Sequence, residues 1–220
     1  MANTAGSPVL FGARYSVYTR IPRLALEEKG VAYHLEEVDV FAPGGPPAAY
    51  VERQPFGRIP AFEHDGLRLY ESGAISRYID EAFPGPALQP SDPRGRAHVN
   101  QIISICDSYA YRTLVWDIFV ERVSVPTEGR PSDEARIAAA LPRAETCLRV
   151  LDAGLADHPY LAGQTLSLAD LHAQPMFALF RLAPEGEQML SRYSALSRWW
   201  QAMASRPSVQ VTRSPRELSR

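Results

Sequence analysis

A proline-rich stretch divides the 220-residue chain into two parts with different patterns. The segment "FPGPALQPSDPRGR" holds four prolines, and prolines at this density interrupt regular structure, so we predict a linker over 84–92. Before it, strand-like and helix-like patterns alternate; after it, every periodic segment is helical. The sequence therefore predicts an N-terminal domain over 1–83 that mixes strands and helices, and an all-helical domain over 93–220.

The first part has the order β-α-β followed by β-β-α. The strand "PVLFG", a helix over 19–30 and the alternating strand "VAYHLEEVDV" form the first unit. The segment "IPAFEHDGLRLY" predicts a hairpin with its turn at Asp65-Gly66, and a helix over 71–83 follows. A strand–helix–strand unit places its two strands parallel, whereas a hairpin adds antiparallel strands. We therefore expect an α+β fold with a small mixed sheet in the N-terminal domain.

Composition and charge exclude several classes of function. The net charge is −2 and the pI is about 6.2, so the chain has no overall basic field that would attract nucleic acid or an anionic membrane. No apolar run approaches the roughly 18 residues that span a bilayer, and the first residues lack an export-signal pattern. Cys106 and Cys147 match no metal-ligand spacing. We therefore expect a cytoplasmic protein with two buried, reduced thiols and no metal.

Two long helices are predicted directly after the linker. Residues 93–124 carry apolar side chains on two sides of a helix, which indicates burial on both sides. A helix over about 133–157 contains Pro142, and proline is expected to kink or interrupt it.

A third helix begins within "TLSLADLHAQPMFALF". Ser167 and Asp170 form a capping box, with Asp in the place that Glu usually takes. The chain then ends in a polar segment, which we expect to be frayed.

The stretch "GARYSVYTRIPRLALEEKG" places four hydroxyl side chains directly before a helix pattern. Because proline fits a straight helix only in its first turn, Pro22 predicts that the helix begins at about Thr19, which would be its N-cap. Ser16 then lies in the loop between the first strand and this helix, a usual place for an α/β active site. A helix N-terminus favours an anion such as a phosphate, a carboxylate or a thiolate.

Ser16 is the candidate hydrogen-bond donor at this helix end. No base lies near it in sequence, and the chain has neither a nucleophile elbow nor a phosphate-binding glycine loop, so a nucleophilic serine is not indicated. A hydroxyl can instead stabilise the anion of a ligand. A thiolate is the natural candidate, because a donor and a positive helix end lower the pKa of a thiol.

Two further stretches place constrained or polar residues at the start of an element. In "QPFGRIPAF", Pro60 begins a strand, which suits a sheet edge or a cis bond that exposes the backbone of Ile59. In "LYESGAI", Glu71 and Ser72 follow a strand and begin a helix. They form an N-cap pair, or they bind an amino-acid-like ligand, with its carboxylate at Ser72 and its ammonium at Glu71.

These motifs, in this order and spacing, resemble those of the cytosolic glutathione S-transferase family. The segments that carry the resemblance are "LFGARYSVYTR…LALEEKGVAY", "PFGRIPAF", "LYESGAISRYI" and "LAGQTLSLADLH", and it covers essentially the whole chain. The N-terminal part is similar to the thioredoxin-like domain of that family, and the rest to its all-helical domain. The resemblance is to serine-type members, similar to the phi and theta classes and to related bacterial members.

The resemblance implies a transferase that activates the glutathione thiolate for attack on a small, hydrophobic electrophile, a detoxifying activity. Ser16 matches the serine that hydrogen-bonds the glutathione sulfur in serine-type members, and Tyr15 and Tyr18 are alternatives for this role. The family pattern also implies a homodimer, with glutathione as co-substrate.

The remaining glutathione contacts are carried over residue by residue. Ile59 matches the residue before the family's cis-proline, so Pro60 is expected to be cis and the Ile59 backbone to pair with the cysteinyl part of glutathione. Glu71 and Ser72 match the residues that hold the γ-glutamyl end. Arg58 stands where many members have glutamine, and the loop "FAPGGPP" lacks the His or Lys that often holds the glycine carboxylate. Arg58 is therefore the candidate for that carboxylate.

The electrophile is expected between the two domains, against an aromatic stripe of the helix over 93–124. Its candidate residues are Tyr109, Arg112, Trp116 and Phe119, which alternatively pack in the core or in a dimer. Two other functions stay open on the same fold: a binding or scaffold protein with little catalysis, and a glutathione-dependent isomerase or reductase. A reductase that forms a mixed disulfide needs a cysteine near position 16, and the sequence has none there.

Overall fold

In the computed structural model, which describes residues 6–219, the chain forms two compact units. One unit holds residues 6–87 together with Val211–Leu218, and the other holds Leu88–Gln210. The division after Ala87 lies within the segment 84–92. The predicted helical domain runs over 93–220, whereas residues 211–218 group with the first unit.

The first unit is built on a four-stranded mixed sheet with the strand order β2-β1-β3-β4. The strands are β1 (Val9–Gly12), β2 (His34–Glu37), β3 (Ala61–His64) and β4 (Leu67–Tyr70). β1 runs parallel to β2 and antiparallel to β3, and β3 runs antiparallel to β4. The mixed sheet predicted from the order of the elements is therefore confirmed.

The turn between β3 and β4 also lies where the sequence predicts it. Asp65 and Gly66 have φ angles of 48° and 81°, so both central residues adopt left-handed backbone. This is the backbone of the tight hairpin turn for which Asp-Gly is a preferred sequence.

Three helices accompany the sheet: α1 (Val17–Lys29), α2 (Ala48–Val51) and α3 (Ser72–Ala82). No sequence pattern predicts α2, because four residues are too few for a periodicity. α1 packs against α3, and the sheet lies against them. The centre of this unit is apolar, and its fully buried residues include Leu10, Leu24, Phe62, Ile75 and Ile79.

The second unit is built from helices. They are α4 (Pro93–Ile105), a π-helical segment (Cys106–Ser124), α5 (Val125–Thr127), α6 (Glu134–Gly154), α7 (Leu168–Phe180), α8 (Pro184–Leu190) and α9 (Ser194–Ala204). Every residue of α7 is buried, which makes it the central helix of this unit. Two short helices follow: α10 (Pro207–Val211) ends where this unit ends, and α11 (Pro215–Leu218) belongs to the first unit. None of the helices within residues 6–219 is long and apolar enough to cross a membrane.

The long helix predicted over 93–124 changes its hydrogen bonding at Cys106. From Cys106 to Ser124 it is a π-helix, in which an N–H group bonds the carbonyl five residues earlier, and the amide of Val125 bonds the carbonyl of Val120 at its end. The prediction of an α-helix over the whole of 93–124 is therefore wrong for residues 106–124. Side chains three and four positions apart share a face in an α-helix, and the wider π turn changes which residues do so.

The other helix predictions have mixed outcomes. Pro142 lies inside α6, which continues from Glu134 to Gly154, so of the two expected effects of this proline, a kink or an interruption, the interruption does not occur. The capping box of α7 is confirmed: the Ser167 amide and hydroxyl both donate to the Asp170 carboxylate, at 2.9 Å and 2.8 Å. The same carboxylate accepts bonds from the Leu161 amide and the Trp199 indole, both at 2.8 Å.

The polar C-terminal segment does not fray. Thr212 and Ser214 are buried, and Glu217 forms an ion pair with Arg20 of α1. The expectation from the sequence failed because it judged the segment by its polarity alone, whereas buried arginines on α1 supply partners for those polar groups.

The single lysine of the chain, Lys29, ends α1 and is buried. Its ammonium group donates to the Asp80 carboxylate of α3 at 3.0 Å and to the carbonyl of Pro86 at 3.1 Å. A buried ammonium requires such partners, because an uncompensated charge is costly in the interior. Lys29 therefore ties the end of α1 to α3 and to the end of the first unit.

Candidate functional site

The site begins where β1 hands over to α1. α1 begins at Val17 and not at about Thr19, and its N-cap is Ser16, in an extended conformation. The Ser16 Oγ accepts a hydrogen bond from the Thr19 amide at 3.2 Å, and the Ser16 carbonyl accepts from the Arg20 amide at 3.0 Å. The prediction of Thr19 as the N-cap was wrong, because Pro22 is tolerated deeper in the helix than its missing N–H suggests.

This correction changes the chemistry open to Ser16. As an N-cap, its oxygen accepts one backbone N–H, but a hydroxyl also has its own proton to donate. Ser16 is half-buried, so its hydroxyl lies at a helix N-terminus without being sealed from solvent. A donor proton and the positive end of a 13-residue helix then favour the same anion.

The two alternative donors differ in their surroundings. The Tyr15 hydroxyl donates to the Asp39 carboxylate at 2.7 Å, and its ring contacts that of Phe41. Burial and the Asp39 carboxylate both raise the pKa of Tyr15. Tyr15 is therefore committed as a donor to Asp39. Tyr18 lies in the first turn of α1 and is half-buried.

Gly12 and Thr19 fix the start of α1 against β1. A Cβ atom at Gly12 would lie 2.3 Å from the Oγ1 and 2.8 Å from the Cγ2 of Thr19, so only glycine fits there. Thr19 is fully buried, three residues after Ser16. The absence of a side chain at Gly12 therefore allows the first turn of α1 to lie this close to the end of β1.

The peptide bond between Ile59 and Pro60 is cis, as the resemblance implies. Pro60 is buried and directly precedes β3, which is a central strand and not a sheet edge. The loop before it is held by two residues that the sequence analysis missed. The Tyr50 hydroxyl donates to the Arg58 carbonyl at 2.6 Å, and the Gln54 Oε1 accepts from the amide of Arg58 at 3.2 Å. The only sequence signal for them is their position ahead of the "PFGRIP" motif.

Glu71 has an unusual backbone. Its φ is 73°, in the left-handed region that non-glycine residues rarely adopt, and such strain concentrates at functional sites. Glu71 is the N-cap of α3 by position, yet its side chain makes no capping hydrogen bond. Its carboxylate is exposed, while Ser72 is buried at the first position of the helix. The simple N-cap interpretation of this pair therefore does not hold for Glu71.

The sheet register brings Ser16, Pro60 and Glu71 to the same end of the strands. Phe11 pairs with Ala61, and Ala61 pairs with Tyr70. The carboxyl end of β1, the amino end of β3 and the carboxyl end of β4 therefore lie side by side. Ser16 follows the first of these ends, Pro60 precedes the second and Glu71 follows the third.

Arg58 lies just before the cis-proline and is exposed. Its backbone is fixed by Tyr50 and Gln54, whereas its guanidinium has no hydrogen bond or ion pair to another residue among those that the structure describes. Over the same part of the chain, no three His, Cys, Asp or Glu residues are grouped to hold a metal ion. This end of the sheet therefore presents the Ser16 hydroxyl, the Arg58 guanidinium and the Glu71 carboxylate.

The predicted aromatic stripe lies in the second unit, in the π-helical segment. Its members differ in exposure: Tyr109 is 63% exposed, the Arg112 side chain is 67% exposed, Trp116 is half-buried and Phe119 is buried. Arg112 forms an ion pair with Asp117, five residues later, at 3.0 Å, and residues five apart are neighbours in a π-helix. The four residues do not form the single stripe that α-helical spacing predicts.

Comparisons with known proteins agree on one family. A model of the "Glutathione S-transferase, N-terminal domain" matches residues 10–87, and one of the "Glutathione S-transferase, C-terminal domain" matches residues 109–207. Glutathione S-transferase F9 of Arabidopsis thaliana is 31% identical over 192 residues, which are 86% of this chain and 88% of the relative.

Solved structures give the same result. Glutathione transferase F7 from Populus trichocarpa is 30% identical, with a TM-score of 0.83 over 93% of this chain and 97% of that chain. Glutathione S-transferase I from maize, in complex with an atrazine glutathione conjugate, is 28% identical, with a TM-score of 0.84 over 94% of this chain and 96% of that chain.

Proposed function

The chain belongs to the glutathione S-transferase family, and we propose that it uses the Ser16 hydroxyl to stabilise the thiolate of bound glutathione for attack on an apolar electrophile. The observation that carries this proposal is the position of Ser16 as the N-cap of α1. Its oxygen is occupied by the Thr19 amide, so its hydroxyl proton is the group left to donate.

The positive end of α1 supports the same role. The helix end and one donated hydrogen bond both favour a thiolate over a thiol, and each unit by which they lower the thiol pKa corresponds to about 1.4 kcal/mol. The thiolate is the nucleophile, so a lower pKa increases the fraction of glutathione that is reactive near neutral pH.

The other groups at this end of the sheet suit the remaining parts of the glutathione tripeptide. The backbone of Ile59, beside the cis bond, is the proposed partner of the cysteinyl part of glutathione. The exposed Glu71 carboxylate suits the γ-glutamyl ammonium, and Ser72 at the start of α3 suits its carboxylate. Arg58 is the proposed partner of the glycine carboxylate, because its guanidinium is exposed while its backbone is fixed.

The second substrate is proposed to be a small hydrophobic electrophile that contacts Tyr109, Arg112, Trp116 or Phe119. The maize relative is in complex with an atrazine glutathione conjugate, which supports a small hydrophobic second substrate for this chain. In this chain, the exposed aromatic ring of Tyr109 and the half-buried Trp116 are the two members of the set with apolar surface to offer.

A homodimer is also part of the proposal. The Phe56 ring is 70% exposed and meets the partly exposed Tyr70 ring edge-on at 6.0 Å, and a large ring held this far out is typical of an interface. A second copy of the chain is the proposed occupant. Replacing Phe56 by Ala should then shift the protein from dimer to monomer in analytical ultracentrifugation, whereas replacing the exposed Val150 on α6 should leave it unchanged.

We further propose a cytoplasmic location, in keeping with two free, buried cysteines.

Two measurements on the purified protein test the proposal. Calorimetry with glutathione should show saturable binding. Conjugation of an activated aryl chloride should produce an absorbance change that requires both the protein and glutathione. No binding at millimolar glutathione would favour a binding or scaffold protein. Binding with isomerisation of an unsaturated substrate but no conjugation would favour the isomerase alternative.

A further inference from the structure

The segment Val211–Leu218, here called the strap, is attached to the first unit in an unusual way. Its polar residues Thr212 and Ser214 are buried, whereas Val211 and Leu218 are 62% and 65% exposed. A segment held by the hydrophobic effect has the opposite arrangement. The strap is therefore held in place chiefly by hydrogen bonds and charge.

The centre of this attachment is Arg20 of α1. Its side chain is only 2% exposed, and its guanidinium donates to the Glu217 carboxylate at 2.5 Å and to the Thr212 hydroxyl at 3.3 Å. Glu217 also accepts bonds from the amide and the hydroxyl of Ser214, both at 2.8 Å. These contacts specify one geometry for the strap on the helix.

Arg23, one turn further along α1, extends the attachment. It donates to the carbonyls of Thr212 and Val211, at 3.4 Å and 3.5 Å, and to the Tyr33 hydroxyl at 3.2 Å. The charged groups that face Arg20 are the carboxylate of Glu217 and the guanidinium groups of Arg23 and Arg213. Within this group, Glu217 is the carboxylate that pairs with Arg20.

Arg20 also belongs to the turn that carries Ser16. Its amide donates to the Ser16 carbonyl at 3.0 Å and so closes the first turn of α1. Two residues later, Pro22 has no N–H to offer to the carbonyl of Tyr18, so the first turn is joined to the rest of α1 by one hydrogen bond fewer than usual. A turn weakened in this way depends more on its side-chain contacts.

We propose that Arg20 and Glu217 form a latch through which the strap fixes the first turn of α1, and that Arg20 is a positioning residue for the Ser16 hydroxyl. The inference rests on the proposed function of Ser16. Opening the latch releases the turn that aims the hydroxyl, and a displacement of about 1 Å in a catalytic group reduces rates by up to about 100-fold.

The variant Glu217→Gln tests the latch, with Leu218→Ser on the exposed side of the strap as its control. In Glu217→Gln we expect kcat for conjugation to fall about 10-fold or more, with the KM for glutathione changed less than about 3-fold. The pH profile of kcat/KM should shift to higher pH, because a misplaced donor stabilises the thiolate less. Leu218→Ser should leave all three quantities unchanged.

Amide hydrogen exchange gives a readout that does not depend on activity. In Glu217→Gln, exchange at the Thr19 and Arg20 amides, which bond Ser16, should rise about 10-fold or more, while the buried amides of α3 serve as the internal reference. If Glu217→Gln does not fold, Thr212→Val removes one acceptor of Arg20 at nearly constant volume, and the same changes should appear on a smaller scale.

The outcomes separate the latch from the function it serves. Unchanged exchange at the Thr19 and Arg20 amides in both variants would overturn the latch. If the wild-type protein conjugates glutathione, and Glu217→Gln shows increased exchange but the same kcat and pH profile, the positioning role of Arg20 would be overturned. A wild-type protein with no conjugation would instead overturn the proposed function, and the exchange data would still decide whether the latch exists.

Discussion

The Thr19 amide donates a hydrogen bond to the Ser16 hydroxyl at 3.2 Å, so one oxygen caps α1 and also carries the proton proposed to meet the glutathione sulfur. The two roles can be separated by substitution. Aspartate caps a helix about as well as serine but has no proton to donate near neutral pH, whereas alanine does neither.

Ser16→Ala should therefore lower the free energy of unfolding by about 1 kcal/mol and also raise the pKa of the bound thiol by about 1 to 2 units. Ser16→Asp should keep the stability and lose the thiolate, and Ser16→Thr should keep both. Thermal unfolding measures the first quantity, and the ultraviolet absorbance of the bound thiolate as a function of pH measures the second. Full thiolate formation in Ser16→Asp would exclude Ser16 as the donor.

Tyr15→Phe tests the alternative donor. Because the Tyr15 hydroxyl already donates to Asp39, we expect kcat to change less than about 3-fold and stability to fall by about 1 kcal/mol. Burial and Asp39 raise the pKa of Tyr15 above its ordinary 10.0, so its proton stays bound at neutral pH. Because the folded-state pKa of Tyr15 lies above the unfolded one, the stability that Tyr15 contributes is fully present below about pH 10. This contribution is lost as the pH rises above about 10. A 100-fold loss of kcat in Tyr15→Phe, with Tyr18→Phe unaffected, would transfer the donor role to Tyr15.

Gly12→Ala should disturb the start of α1, which carries the Ser16 hydroxyl. The new methyl group would lie 2.3 Å from the Thr19 Oγ1, so the start of α1 must move or Thr19 must change rotamer. We expect a loss of about 1 to 3 kcal/mol in stability together with reduced turnover. Gly6→Ala is the matched control, since a Cβ there meets nothing within 4 Å. Equal melting temperatures for the two variants would show that the approach of Gly12 to Thr19 is not required.

Arg58→Ala tests the glycine carboxylate. We expect glutathione binding to weaken about 10-fold, which corresponds to about 1.4 kcal/mol and is typical of a charged hydrogen bond. The difference from the wild type should shrink at high salt, because the guanidinium is exposed. Arg68→Ala removes another exposed arginine of the same unit, one that pairs with Glu63, and should leave binding unchanged. Equal affinities for the Arg58 and Arg68 variants would leave the glycine carboxylate to another group.

Asp170→Ala should be among the most destabilising substitutions in the helical unit. It leaves the Leu161 amide and the Trp199 indole without an acceptor in a fully buried position, and each such loss costs about 1 to 3 kcal/mol. Asp133→Ala removes the exposed N-cap of α6 and should cost only about 1 kcal/mol. Urea unfolding of both variants measures the difference, and similar midpoints would show that the buried network adds little.

Local chemistry in the sequence predicted much of this fold. The hairpin at Asp65-Gly66 and the capping box at Ser167 each depend on neighbouring residues alone, and both are present. The cis bond before Pro60 came from the resemblance, since only about 5% of such bonds are cis and no local rule selects this one.

What the sequence failed to predict depends on contacts between distant residues. The start of α1 at Val17 was missed because one rule about Pro22 was applied without the contacts that hold the first turn. The burial of Thr212 and Ser214 depends on arginines about 190 positions earlier in the chain. The positive φ of Glu71 and the π-helical spacing after Cys106 leave no periodic signal in one sequence.

The burial of Lys29 has a practical consequence for chemical probes of this protein. Its side chain is 3% exposed and bonded to Asp80 and Pro86, and every other basic side chain except histidine is an arginine. Acylating reagents directed at amines therefore find no lysine on the folded surface. The rate at which Lys29 is labelled, followed by mass spectrometry, would therefore measure how often α1 and α3 separate by local opening.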